Sequence, residues 1–244
     1  MTSPSPKIST QIPGVSTETL DYQSLFLRIQ SGHSLITANS RLTRVLTDKY
    51  NQWRISQGDT QWQSPDICSW KQWLDKLWVG AGLLGVVGTD LAVPGSRQLV
   101  NLWENILKNA PLAEQLLRPE SLASQLRDTR QLITEWQVNR NDLAWSGHEN
   151  ENHAAFQQWN QAFDRLCEMD GWINPDDRIT VLSKAIEADV KLVSNKLDLI
   201  GFDEYNPSQT RLLKALAGIA VPVCHLTIEP RQSKALIWKS RESK

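Results

Sequence analysis

Cysteine is scarce in this chain. Cys68, Cys167 and Cys224 are its three thiols in 244 residues, and no two form a CxxC pair. That excludes a disulfide scaffold and suits a reducing, cytoplasmic setting. Long apolar runs are missing too: no window reaches the roughly 18 uninterrupted apolar residues of a membrane span. The N-terminal stretch MTSPSPKIST lacks the apolar segment of a secretory signal. Neither export nor a membrane partner is therefore expected. Charge of one sign is also absent, with 26 Lys and Arg against 27 Asp and Glu. A globally basic nucleic-acid binder is excluded, and only a local basic face remains. No GxxxxGK[ST] occurs, so the amides and lysine that cradle nucleotide phosphates have no counterpart here. HExxH and GxSxG are likewise missing. His148 and His153 stand five apart, the wrong spacing for two ligands on one helical face, so no metal is expected.

What the chain does have is apolar content and tryptophan. Forty per cent of residues are hydrophobic, enough for a core, and 11 are Trp against 3 Tyr and 4 Phe. Such rings either pack a core or stack on nucleobases. Trp70, Trp73, Leu74, Leu77 and Trp78 fall at i, i+3, i+4, i+7 and i+8 behind a Ser69–Gln72 capping box. One face of one helix carries all three rings, so they are expected in the core.

The remaining pattern sets the organisation. Residues 1–16, rich in Pro, Ser and Thr, read as a flexible leader. Thr17 or Thr19 is expected to cap a helix running through Leu20, Leu25, Phe26 and Ile29 to Gly32. Residues 34–38 read as a buried strand, followed by a helix capped by Asn39 or Ser40. Helices are expected over 96–109, 112–117, 120–139, 152–169 and 175–189. Strands return at 197–202, 221–228 and 234–238, with a helix capped by Asn206 between the first two. The expected division is a leader (1–16), a first α/β part (17–68), a helical insertion (69–190) and a returning α/β part (191–244). Strands alternating with helices favour a parallel sheet covered by helices.

Three local motifs bear on chemistry. Gly80-Ala81-Gly82-Leu83-Leu84-Gly85 matches GxGxxG, but a capped helix precedes it where a dinucleotide fingerprint needs a strand. It reads as a helix C-cap and loop. Asp203 and Glu204 follow an apolar strand directly. Ligands of parallel sheets collect at such strand ends. There Asp203 would hold a Mg²⁺-bound water and Glu204 an attacking water; the plainer alternative is two acids favoured by a helix N-terminus. Asn39, Ser40, Arg41 and Arg44 lie at the other strand-to-helix junction, placed either to hold a DNA phosphate or simply to cap and solvate a helix.

Several stretches together resemble one family. They are Leu35 to Leu42 (LITANSRL), Pro65 to Trp70, Trp73-Leu74, Leu77-Trp78 and Leu199 to Gln209 (LIGFDEYNPSQ). Their order and spacing, over about residues 20–225, are similar to the N-terminal region of bacterial AddB/RexB-like "probable DNA repair proteins". Those are long chains with a superfamily 1 helicase-like core and a C-terminal PD-(D/E)XK nuclease. The resemblance implies an α/β fold with a RecA-like (P-loop NTPase-like) parallel sheet and a large helical insertion. It places Asn39–Arg44 at the early motif beside the DNA strand and Gly201–Gln209 at motif II. No PD…(D/E)xK pattern fits this chain, so nuclease activity does not carry over; a fragment or a truncated product is expected. The leading expectation is a non-catalytic scaffold that contacts single-stranded DNA or a helicase-nuclease partner subunit, without a cofactor. The alternatives are an active NTPase using Mg-ATP at Asp203 and Glu204, and a protein-interaction module exposing Trp70, Trp73 or Trp78.

Overall fold

A strand covered on both faces buries every residue, and Leu197–Ile200 does so: Leu197, Leu199 and Ile200 are buried with the ion-paired Asp198 among them. In the computed structural model, which describes residues 12–86, 88–110, 119–138, 151–188, 191–193 and 195–229, this segment lies inside a five-stranded, wholly parallel sheet. The strands are β1 (Val15–Leu20), β2 (Ser34–Thr37), β3 (Ile67–Ser69), β4 (Leu197–Ile200) and β5 (Val223–Ile228), in the order β1-β5-β4-β2-β3. The helices are α1 (Tyr22–Gln30), α2 (Ser40–Ser56), α3 (Trp70–Leu83), α4 (Ser96–Lys108), α5 (Pro119–Glu135), α6 (Glu151–Met169), α7 (Pro175–Glu187) and α8 (Pro207–Gly218). The expected α/β class and parallel sheet are present.

Alternation along the strands sorts the helices onto two faces. Leu35, Ile200, Cys224 and Leu226 point to one side and meet Leu25, Phe26 and Ile29 of α1 and Leu46 and Tyr50 of α2. Ile36, Leu197, Leu199 and Val223 point to the other and meet α3, α7 and α8. Trp70, Trp73 and Trp78 sit in this second core, 8%, 5% and 6% exposed. The capping box at Ser69 and Gln72 forms as expected and aims them inward. These rings are therefore core, and the interaction-module alternative loses the surface it required. A separate cluster, including Leu102, Trp103, Ile106, Leu107, Leu126 and Phe163, holds α4, α5 and α6 together.

Several expectations need correction. The helix expected from Thr17 or Thr19 begins later. Val15–Leu20 is a strand paired in register with Val223–Ile228, and Asp21 caps α1 by accepting the Ser24 amide at 2.8 Å. The leader does not extend to 16, because Ile12 is buried in the sheet's core and β1 starts at Val15. β3 was not expected at all; three residues are too few to show a period. The insertion is narrower than 69–190, since α3 and α7 pack on the sheet and only α4–α6 share the separate core. The GxGxxG run ends α3, with Leu84 as C-cap and Gly85 at φ +70°. The helix expected at 112–117 and the strand at 234–238 lie outside the described residues.

Candidate nucleic-acid interface

The chain changes direction in the sheet between β2 and β4. From β2 it moves by α2, on one face, to the outer strand β3; from β4 it moves by α8, on the other face, to β5. These neighbouring strands run parallel in the register Thr37↔Ile200, so their C-terminal ends lie together. Such a switch point, with connections leaving in opposite directions, is where open α/β sheets bind ligands.

Each side is fixed by its own residues. On the β2 side the buried Thr37 hydroxyl donates to the Asn39 carbonyl at 2.9 Å and lies 2.6 Å from the Thr43 hydroxyl. The Asn39 side chain accepts the Leu42 amide at 2.9 Å. Asn39 is thus committed to capping α2, which leaves Ser40, Arg41 and Arg44 exposed on its opening turns. On the β4 side, Gly201 has φ +79°, and a Cβ there would overlap Leu42 Cδ2. Only glycine accommodates both the left-handed backbone and the approach of α2. The two junctions are bonded directly, since the Ala38 amide donates to the Ile200 carbonyl at 3.1 Å.

Beyond Gly201, an aromatic chain anchors the loop. The Trp70 and Phe202 rings meet edge-on at 6.0 Å, and Phe202 stacks on Tyr205 at 5.1 Å. The Tyr205 hydroxyl lies 2.6 Å from His225 Nδ1. Phe202 and Tyr205 are buried, and Asp203 and Glu204 between them are exposed. Burial pushes the Tyr205 phenol up and the His225 imidazole down. His225 is therefore held neutral in the fold and binds protons more readily when unfolded. Its contribution to stability is complete above the ordinary histidine value of 6.5 and is lost as pH falls through its lowered folded value. Urea unfolding at pH 7.5 and 5.5 is expected to show wild type losing stability at the lower pH, with a smaller loss in His225→Phe; equal losses would contradict this assignment.

The structure places the two groups of expected residues at one switch point, on opposite sides of it. Sequence reading gave no positioning role to Thr37, Thr43, Phe202 or Tyr205, which hold them in place. The repeated Thr near a predicted cap was the available signal on one side, and the aromatics flanking the acidic pair were the signal on the other. Four strand-to-helix junctions are described. Asp21 alone joins β1 to α1, residues 38 and 39 join β2 to α2, β3 runs directly into α3, and residues 201–206 join β4 to α8. Each of these helices is capped by a side chain of its own: Asp21, Asn39, Ser69 or Asn206. At Asp21 the Ser24 hydroxyl and amide hold the carboxyl below its ordinary range, so a negative charge already occupies the α1 terminus. Among the described residues, no group of three or more His, Cys, Asp and Glu is placed to hold a metal ion. No helix there is long and apolar enough to cross a membrane. No protein-family model and no curated protein matches the chain.

Proposed function

We propose that this chain is a non-catalytic, RecA-like scaffold domain of a DNA repair helicase-nuclease, one that contacts single-stranded DNA across the β2/β4 switch point. The carrying observation is the parallel β2–β4 pair with α2 and α8 leaving on opposite faces. It gathers at one edge the segments that the family resemblance associates with DNA and with motif II. Arg41 and Arg44 supply the exposed cations beside that edge. The four side-chain-capped junctions support a scaffold over an NTPase. None carries the glycine-rich loop and lysine that a nucleotide's phosphates require. Cytoplasmic action, no resident cofactor and a helicase-nuclease partner subunit belong to the same reading.

Backbone contacts of this kind give weak, salt-sensitive binding. Anisotropy titration of a fluorescein-labelled oligodeoxythymidylate is expected to show affinity falling with salt. Arg41→Ala/Arg44→Ala is expected to lower the slope of log K against log salt by about 1.4, at about 0.7 per single-strand phosphate contact. An unchanged slope would refute the DNA-facing role of α2. In parallel, nucleotide hydrolysis by wild type that disappears in Glu204→Gln would favour the NTPase alternative.

A further inference from the structure

Beside Glu204 the sheet edge opens into a groove of about 700 Å³. One wall is a stripe of α8 that includes Arg211 and Lys214, one helical turn apart. The opposite wall is the C-terminal turn of α5, with Trp136 and Gln137; Glu187, the last residue of α7, also lines the space. The walls are fixed relative to each other, because the Ser208 hydroxyl donates to the Thr134 carbonyl at 3.0 Å.

The end of α5 is closed by paired backbone bonds. The Gln137 amide donates to the Thr134 carbonyl at 3.1 Å and the Val138 amide to the Ile133 carbonyl at 2.9 Å. Gln137 takes φ +51°, where glycine is the usual residue. This closure sets Trp136 at the groove while leaving it 47% exposed. It contrasts with Trp70, Trp73 and Trp78, which are all buried. The chemistry is mixed in a particular way: one aromatic face, two cations on α8, and two carboxylates. A nucleotide has a complement for each, with a π-face for Trp136, a phosphate for Lys214 and Arg211, and an N–H donor on the base edge for Glu204 or Glu187. The cores of protein–protein interfaces are depleted of charge, whereas four of the nine residues lining this groove are charged.

We propose that this groove receives one base of a single strand, stacked on Trp136, with the adjoining phosphate against Lys214 and Arg211. The inference rests on the reading of the β2/β4 edge as DNA-facing, and extends the strand's path from α2 over the Gly201–Asn206 loop to α8.

The test is anisotropy titration of two labelled strands, oligodeoxythymidylate and an abasic strand of equal length. Trp136→Ala is expected to weaken binding of the first by about fivefold or more, and Trp136→Phe to retain most of the affinity. The abasic strand is expected to bind wild type and Trp136→Ala alike. Lys214→Ala is expected to lower the salt slope by about 0.7. If Trp136→Ala binds oligodeoxythymidylate like wild type while Arg41→Ala/Arg44→Ala is weakened, the groove is overturned and the α2 reading stands. If Trp136→Ala weakens the abasic strand equally, stacking is overturned. If wild type binds neither strand, both readings fall. Thermal melting of each variant, with Trp136 being half exposed, is expected to match wild type.

Discussion

Asp198→Ala is expected to cost about 3 kcal/mol of stability, the lower end of what breaking a buried ion pair removes. Asp198 lies in the middle of the sheet and is 1% exposed. Its carboxylate accepts from Arg28 Nη1 at 3.2 Å and sits 2.9 Å from His33 Nδ1. Arg28 continues the network to Glu18 on β1. Truncation leaves a guanidinium and an imidazole facing a cavity, although Arg28 keeps Glu18 and some solvent contact. That residual compensation sets the lower end of the range. Asp198→Asn keeps the volume and one acceptor oxygen for Arg28, and its NH2 can donate to a neutral His33 Nδ1, so its loss should be smaller. Urea unfolding at neutral pH measures both. A change within about 0.5 kcal/mol for Asp198→Ala, the size of an ordinary surface substitution, would show that the network does not hold α1 on the sheet.

Trp103→Ala is expected to be larger still and more local. Trp103 is fully buried, and its ring stacks on Phe163 with centroids 4.8 Å apart. Emptying such a site costs about 3–5 kcal/mol. The surrounding cluster draws only on α4, α5, α6 and the residues next to them. The loss should therefore fall on those helices, with amide protection in β2, β4 and β5 nearly unchanged. Native-state hydrogen exchange checks this directly. Uniform loss of protection across sheet and helices would mean that the two cores unfold as one unit.

The legible parts of the fold were those whose signal is local. Asn206, Pro207 and Gln209 state a helix start within four residues, and α8 begins there with the full capping box. Ser69 and Gln72 do the same for α3. The apolar runs that became β2 and β4 were readable because both faces are covered. β1 was not, because VSTETL is polar at most positions and Thr17 and Thr19 resemble caps. What makes it a strand is its register with Val223–Ile228, about two hundred residues along the chain. The Asp198–Arg28–His33 network was invisible for the same reason, its members being 165 and 170 positions apart. At the candidate site the sequence pointed to two junctions whose strands lie side by side in the sheet. It left open whether Asn39 or Ser40 caps α2, which the Leu42 amide settles by donating to Asn39, and it could not show that Trp136 at the far side of the loop stays open.

Hydrogen–deuterium exchange with and without a saturating oligodeoxythymidylate tests the DNA-facing edge most directly. Slowed exchange in two separate peptides, one spanning 38–44 and the other 201–206, with the amides of α4 unaffected, is the result expected. Slowing confined to other surfaces, or no change anywhere at a concentration where the strand is bound, would contradict it.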